Sequence, residues 1–272
     1  MSANPLQSTI EVRVVRFPAG ATDAEQLAVE EPLEIRIDGE PLAVTMRTPG
    51  HDADLAAGFC FTEGIVDDPD DLIRVEPCNL ADYGNVVDVI LTSTAREARR
   101  TQIERARREF YLSSSCGLCG TQSLDRLARR ISTVSTDFTV SETVLTQLPN
   151  RMVAAQEVFA RTGGLHAAAL FTPAGELRLL REDVGRHNAV DKVIGGLLLS
   201  GQLPCSPGVL LVSGRASFEL VQKAARAGIG FLAAVGAPSS LAVEAAERFG
   251  MTLVGFLRDE RFNAYAHANR IS

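Results

Sequence analysis

No apolar run in this chain of 272 residues reaches the roughly 18 that a membrane-spanning helix needs. The stretch from Val193 to Leu199 is too short and belongs in a core. Residues Met1 to Gln7 lack the basic region and apolar run of a secretory signal, so none is expected. Positive charge is not in excess either. The 27 Lys and Arg against 34 Asp and Glu leave a net charge of −7, which argues against a broad DNA- or RNA-binding surface but allows a local basic pocket. Fixed-period repeats and low-complexity linkers are absent. Cysteine is scarce: five, an odd number in a chain without a signal. That points to a reducing cytoplasm, where a close cysteine pair is catalytic or metal-binding rather than structural.

What is present fits an ordinary globular chain. Hydrophobic residues make up 46% and charged ones 22%, and a chain of this length buries about three quarters of its unfolded surface without a disulfide or metal staple. One large domain or two modest ones are expected.

One stretch stands out: Ser113-Ser114-Ser115-Cys116-Gly117-Leu118-Cys119-Gly120, followed by a segment that reads as a helix over 122–130. A cysteine at a helix start feels unpaired N–H groups and the positive dipole end, which favour thiolate. A zinc site is disfavoured because no second CxxC exists. The zinc deaminase pattern also fails: no His has Glu two residues later, and Ser115 precedes Cys116 where that pattern wants Pro. No metal site is therefore expected. A thioredoxin-type dithiol would sit in the first βα turn of a small domain, whereas this pair follows a long Arg-rich segment. Dithiol redox chemistry and covalent sulfur or acyl carriage both remain open.

The first ~90 residues read as β-rich. Strands are expected at 10–17, 33–37, 41–46, 73–76 and 85–91, with Asp38-Gly39 as a tight hairpin turn, residues 18–31 as a polar loop, and a short helix over 53–63. Ala95 to Glu109, with six Arg and three Glu, reads as a solvated, salt-bridged helix or as a basic arm. A helical region from Ser141 to Arg161 should break at Pro149. Beyond Gly163-Gly164, apolar strands alternate with helices: strands at 165–171, 177–180, 209–212, 231–235 and 252–257, helices at 186–200, 218–227 and 241–249. Continuous apolar strands in βα alternation predict a parallel-sheet core.

In such sheets ligands bind beyond the C-terminal strand ends. Three loops there carry suitable residues: Arg181 to Lys192, Ser213-Gly214-Arg215-Ala216-Ser217, and Gly236-Ala237-Pro238-Ser239-Ser240. Each could cap a helix only, but three in succession, two with Arg, point to an anionic, nucleotide-like ligand. His166, in an apolar strand, reads as a core histidine. His187 sits among Glu182, Asp183, Arg186, Asn188, Asp191 and Lys192, which make either a site or a buried ion network.

These segments together resemble the FdhD/NarQ family, the formate dehydrogenase accessory sulfurtransferases. The resemblance rests on Glu31-Pro32-Leu33, Asp54 to Phe59 with Glu63-Gly64, Ser114 to Gly120, Thr162 to Ala168, Arg181 to Lys192, Ser213-Gly214-Arg215 and Phe256-Leu257-Arg258. It covers about residue 10 to the C-terminus. It implies a cytidine-deaminase-like α/β core with a β-rich N-terminal part, as subdomains over 1–110 and 111–272. It implies a cytoplasmic sulfur carrier that takes sulfane sulfur from a cysteine desulfurase as a persulfide. The sulfur goes to the molybdenum cofactor, a bis(molybdopterin guanine dinucleotide), before insertion into formate dehydrogenase. By the same resemblance Cys116 carries the persulfide and Cys119 assists. Phe256, Leu257, Arg258, Asp259, Glu260 and Arg261 help hold the cofactor, whose guanosine diphosphate moieties account for the phosphate-suited strand-end loops with Arg186, His187, Ser213 and Arg215. A homodimer is expected. A dithiol redox protein and a non-catalytic cofactor chaperone are the alternatives.

Overall fold

The computed structural model describes residues 8–78, 85–112 and 133–272. The cysteine stretch and the helix expected over 122–130 lie outside these residues. Strand β1 (Thr9–Arg16) pairs antiparallel with β2 (Ala21–Ala28), so residues 18–31 are not the loop expected from their polarity. A two-stranded ribbon has little core to face, and β2 therefore carries Asp, Glu and Gln where a buried strand would carry Val or Ile.

Next come β3 (Glu31–Ile37) and β4 (Glu40–Arg47), joined at Asp38 and Gly39. Both turn residues have positive φ, 52° and 83°, as a two-residue hairpin demands. Helix α1 (Asp52–Thr62) precedes β5 (Leu72–Pro77) and β6 (Val86–Leu91), which complete a four-stranded sheet in the order β4-β3-β6-β5. The Arg-rich segment forms α2 (Ser93–Ala98) and α3 (Arg100–Leu112). Three of its six arginines serve structure: Arg96 meets Asp38 at 2.5 Å, Arg99 pairs with Asp67, and Arg100 reaches Glu104.

Helix α4 (Glu142–Ala155) runs through Pro149, and the break falls at Gln156, before α5 (Glu157–Thr162). Proline removes one N–H from the ladder, but Leu145, Leu148 and Met152 bury the helix face completely and hold it together. Then follow β7 (His166–Phe171), β8 (Leu177–Asp183), α6 (Arg186–Leu199), β9 (Val209–Val212), α7 (Phe218–Arg226), β10 (Phe231–Ala234), α8 (Ser240–Phe249), β11 (Thr252–Arg258) and β12 (Arg261–Ala266). The six-stranded sheet has the order β12-β11-β10-β9-β7-β8. Only β9, β10 and β11 are mutually parallel; β7, β8 and β12 run antiparallel to their neighbours. The sheet is thus mixed α/β, not wholly parallel. Short βα units make the centre, and hairpins close both edges.

Alternation assigns the two faces. Ala168, Leu170, Leu210, Val212, Leu232, Ala234 and Leu253 point to the side covered by α6, α7 and α8. Ala167, Ala169, Phe171, Val209, Leu211, Phe231, Ala233 and Val254 point to the side covered by α4. Strands apolar at every position are what a sheet buried on both faces requires.

The first of these cores continues without interruption into the N-terminal sheet, through Leu33, Ile35, Val87 and Val89. The bridge is α1 against α6. A Cβ on Gly58 would fall inside the carbonyl of Asp191, and one on Gly195 inside the carbonyl of Asp54. The two helices therefore touch backbone to backbone, which only glycine permits.

Gly195→Ala is expected to force the helices apart and to destabilise by about 3 kcal/mol or more, a drop of roughly 10 °C in Tm. Thermal unfolding by circular dichroism measures it; an unchanged Tm would contradict this packing.

Candidate functional site

The loop at the start of α6 serves two ends at once. Asp183 and Lys192, both with almost no exposure, pair at 2.7 Å. Asp183 also accepts from the amides of Thr48 and Gly185 and from the Asn188 side chain, and Lys192 donates to the carbonyls of Thr48 and Glu182. Asn188 in turn donates to the Met46 carbonyl at 2.7 Å. Asp191 pairs with Lys223 at 2.8 Å and accepts from Thr62. Glu182 caps α5, accepting from the amides of Val158 and Phe159. Each buried charge is matched and its remaining hydrogen-bonding capacity largely filled, as stability demands. Asp183, Asn188, Asp191 and Lys192 thus form a largely buried network that ties the α6 loop to the N-terminal half, while Glu182 holds α5.

Arg186 and His187 do not join it. The Arg186 side chain makes no hydrogen bond or ion pair among the described residues, and its Nε is fully buried. A buried donor without a partner is uncommon and calls for an acceptor, from water or from a ligand. His187 turns toward α7: its Nε2 lies 2.8 Å from Glu219 Oε2 and 3.3 Å from Ser217 Oγ.

The strand-end loops converge beside these two residues. Ser213 Oγ accepts from the Ala167 amide at 2.9 Å and stands 3.4 Å from His166 Nδ1. Gly214 has both the His166 ring and Arg186 Cδ within reach of an added Cβ. Gly236 donates to the Gly214 carbonyl, and the Phe256 amide donates to the Gly236 carbonyl, so the loops after β9 and β10 and the end of β11 are stitched side by side. The amides of Gly214 and Arg215 make no hydrogen bond among the described residues, and the Arg215 side chain is exposed and unpaired. Loop amides and unpaired cations grouped at strand ends suit anionic oxygens.

The β11–β12 hairpin extends past these loops. Phe256 is partly exposed with φ 52°, whereas Leu257 is fully buried in the second core. Only the Leu257 backbone can face a ligand. Arg258 and Arg261 face each other in the ladder, exposed and without ion partners among the described residues. Asp259 and Glu260 form the turn between them, and Asp259 has φ 54°. Aspartate tolerates the left-handed region, so turn geometry accounts for an acid beside two arginines.

Sequence reasoning took His166 for a core residue. It stands half-buried at the rim, and burial, then the charge of Arg186, push its imidazole below the ordinary value. Ser217 is marked by the sequence only as the end of the loop after β9, and Glu219 is not marked at all, because a glutamate in the first turn of a helix is ordinary. Of the three cysteines among the described residues, Cys60 and Cys205 are buried and Cys78 is partly so. Burial is the leading cause that pushes all three thiols upward, away from thiolate. No group of three or more His, Cys, Asp or Glu among the described residues is placed to hold a metal, and no helix there is long and apolar enough to cross a membrane. Cys116 and Cys119 lie outside the described residues.

His166 should titrate below about 6.5 in proton NMR; a midpoint at or above it contradicts the assignment. The unfolded chain then binds this proton more readily. Stability is full above about pH 6.5 and falls as the pH drops below it, with His51, shifted in the same sense, adding to the loss. Lys192→Met leaves Asp183 buried and unpaired, and urea unfolding should show a loss of about 3–5 kcal/mol.

The profile of the FdhD/NarQ family matches residues 28–272. The chain is 53% identical to the sulfur carrier protein FdhD of Streptomyces avermitilis over 267 residues, 96% of this chain and 94% of that one. It is 48% identical to the protein of the same name from Mycobacterium tuberculosis, over 92% of this chain and 93% of that one. The crystal structure of a candidate formate dehydrogenase accessory protein from Desulfotalea psychrophila superposes with a TM-score of 0.76 at 24% identity, covering 98% of this chain and all of the other, a likeness of fold. By its sequence over nearly its whole length, the chain belongs to the FdhD/NarQ family.

Proposed function

We propose that the protein is a sulfur carrier serving formate dehydrogenase, and that its cargo site is the strand-end region formed by Arg186, His187, Ser213, Arg215 and the hairpin from Phe256 to Arg261. The observation that carries this site is Arg186, a cation with a buried donor and no partner among the described residues, beside the amides of Gly214 and Arg215, which are likewise without a hydrogen bond there. Such a group favours a phosphate-bearing molecule. Relatives about half identical over nearly the full chain bear the name sulfur carrier, which supports the role.

Cys116 carries the sulfur in this reading. Its thiolate attacks the outer sulfur of a persulfide on a cysteine desulfurase. One S–S bond forms, one breaks, and the desulfurase leaves as thiolate, so no electrons are gained or lost. Delivery to the molybdenum cofactor as sulfide needs two electrons. Attack of the Cys119 thiolate on the Cys116 sulfur expels hydrosulfide and leaves a disulfide, which a cellular dithiol reduces. The three cysteines outside the loop, their thiols held protonated, do not compete for the sulfur. The guanine dinucleotide part of the cofactor supplies diphosphates to Arg186, Arg215 and the hairpin arginines. This reading makes the protein a cytoplasmic homodimer.

Incubation with a desulfurase and cysteine should add one sulfur to the intact mass, within peptide 112–126. Cys116→Ala should abolish the gain and formate dehydrogenase activity in a strain lacking the native protein. Activity retained without both cysteines would instead mark a cofactor chaperone, and insulin reduction that needs both would mark a dithiol redox protein. Arg186→Met should weaken GDP binding about ten- to a hundredfold, the worth of one charge-assisted contact. Equal affinity by calorimetry would remove Arg186 from the site.

A further inference from the structure

Two helices leave the strand ends in the same way, each preceded by a serine. Ser239 caps α8 in the ordinary manner, accepting from the Ala242 amide at 3.2 Å. Ser217 holds the equivalent place before α7 and does not cap it. Its hydroxyl lies instead 3.3 Å from His187 Nε2. A Ser at this position gains most by capping, so its diversion calls for a reason.

Glu219 repeats the pattern. A glutamate in the first turn of a helix is favoured by the dipole whichever way it points. Here Oε2 lies 2.8 Å from the same ring nitrogen. The hydrogen bond from His187 is the first cause that holds the Glu219 carboxyl below the ordinary range; the charges of His187, Lys223 and Arg186 act in the same sense, and burial opposes them. At neutral pH this carboxylate only accepts. The proton between them therefore sits on Nε2. In the neutral ring Nδ1 then keeps its lone pair, and Nδ1 makes no hydrogen bond among the described residues.

We propose that Glu219, with Ser217, is a positioning residue that fixes His187 as the Nε2–H tautomer and leaves Nδ1 as the free proton acceptor of the cargo site. The use made of that acceptor rests on the sulfur-carrier reading; the tautomer itself is a property of the protein alone. Sulfur enters and leaves such a site as thiolate, so a thiol or persulfide arriving protonated must lose its proton. Nδ1 takes it, the sulfur keeps the electron pair, and the resulting imidazolium faces the Glu219 carboxylate. The other groups around the ring complete the balance. Arg186 beside it and Lys223 one turn along α7 are cationic and Lys223 is engaged by Asp191, while His166, kept neutral, adds no charge. Glu219 is thus the anion that offsets the new charge. A serine and a glutamate recruited from α7 give the ring a fixed partner on one nitrogen and freedom on the other, the arrangement by which carboxylates orient histidine bases.

Long-range proton–nitrogen correlation spectra of the uniformly labelled protein test this directly. The wild type should show His187 with a protonated Nε2 and a bare Nδ1. Glu219→Gln, whose amide can donate as well as accept, should lose that signature and show a mixture of tautomers. The rate of persulfide transfer to the protein should fall at least tenfold in the variant near neutrality and recover as the pH rises. GDP affinity should change less than twofold. A protonated Nδ1 in the wild type overturns the proposal, as does an unchanged signature and pH–rate profile in a Glu219→Gln protein of native Tm. Should Glu219→Gln fail to fold, the wild-type spectrum and Ser217→Ala decide alone. Absence of any sulfur transfer by the wild type would count against the carrier reading and leave the tautomer result standing.

Discussion

The contact of α1 with α6 at Gly58 and Gly195 governs the architecture. Two peptide backbones in van der Waals contact leave no room for adjustment by side-chain rotation. The position of one helix dictates that of the other, and α6 carries Arg186 and His187 at its first turn. The N-terminal sheet, which supplies none of the proposed cargo-site residues, reaches the site through this crossing. The buried pair of Asp183 and Lys192 makes the second tie, because its partners are backbone atoms of Thr48 on the far side of the crossing. A single hydrophobic core runs through both, from Leu33 to Ala266.

The run from Arg181 to Lys192 shows how one short segment divides its labour. Asp183, Asn188, Asp191 and Lys192 hold the loop in place, and Arg181 ties it to Asp54 at 2.7 Å. Arg186 and His187 are the two left over. Local spacing explains the split. Residues 188, 191 and 192 share the inward stripe of α6, whereas 186 and 187 occupy its first turn, where the helix end opens on the strand-end loops.

Much of this could be read from the sequence, for identifiable reasons. Strands such as Val209 to Val212, apolar at every position, announce a sheet covered on both faces. Asp38-Gly39, Gly228 and Gly250 announce their turns and caps through positive φ. What escaped was structure held by partners distant in the chain. Residues 21–28 form a strand because residues 9–16 pair with them, not because their composition favours one. Pro149 lies inside a helix because burial against the sheet outweighs the missing N–H. The antiparallel hairpins at both sheet edges cannot be told from parallel strands by apolarity alone. Of the residues grouped at the proposed cargo site, the sequence marks Arg186, His187, Ser213 and Arg215 as candidates because three strand ends carry similar loops. His166 and Glu219 are not marked, since each has an ordinary structural excuse that only geometry removes.

The glycine crossing also has a bearing on how the chain is made. Half the sequence separates Gly58 from Gly195, so α1 leaves the ribosome on the order of ten seconds before α6 does. In that interval the side of α1 that will meet α6 has nothing to cover it. The newborn N-terminal half is a sheet and a helix with an open apolar side, and it must wait, shielded or loosely collapsed, for a partner that the same chain has yet to supply.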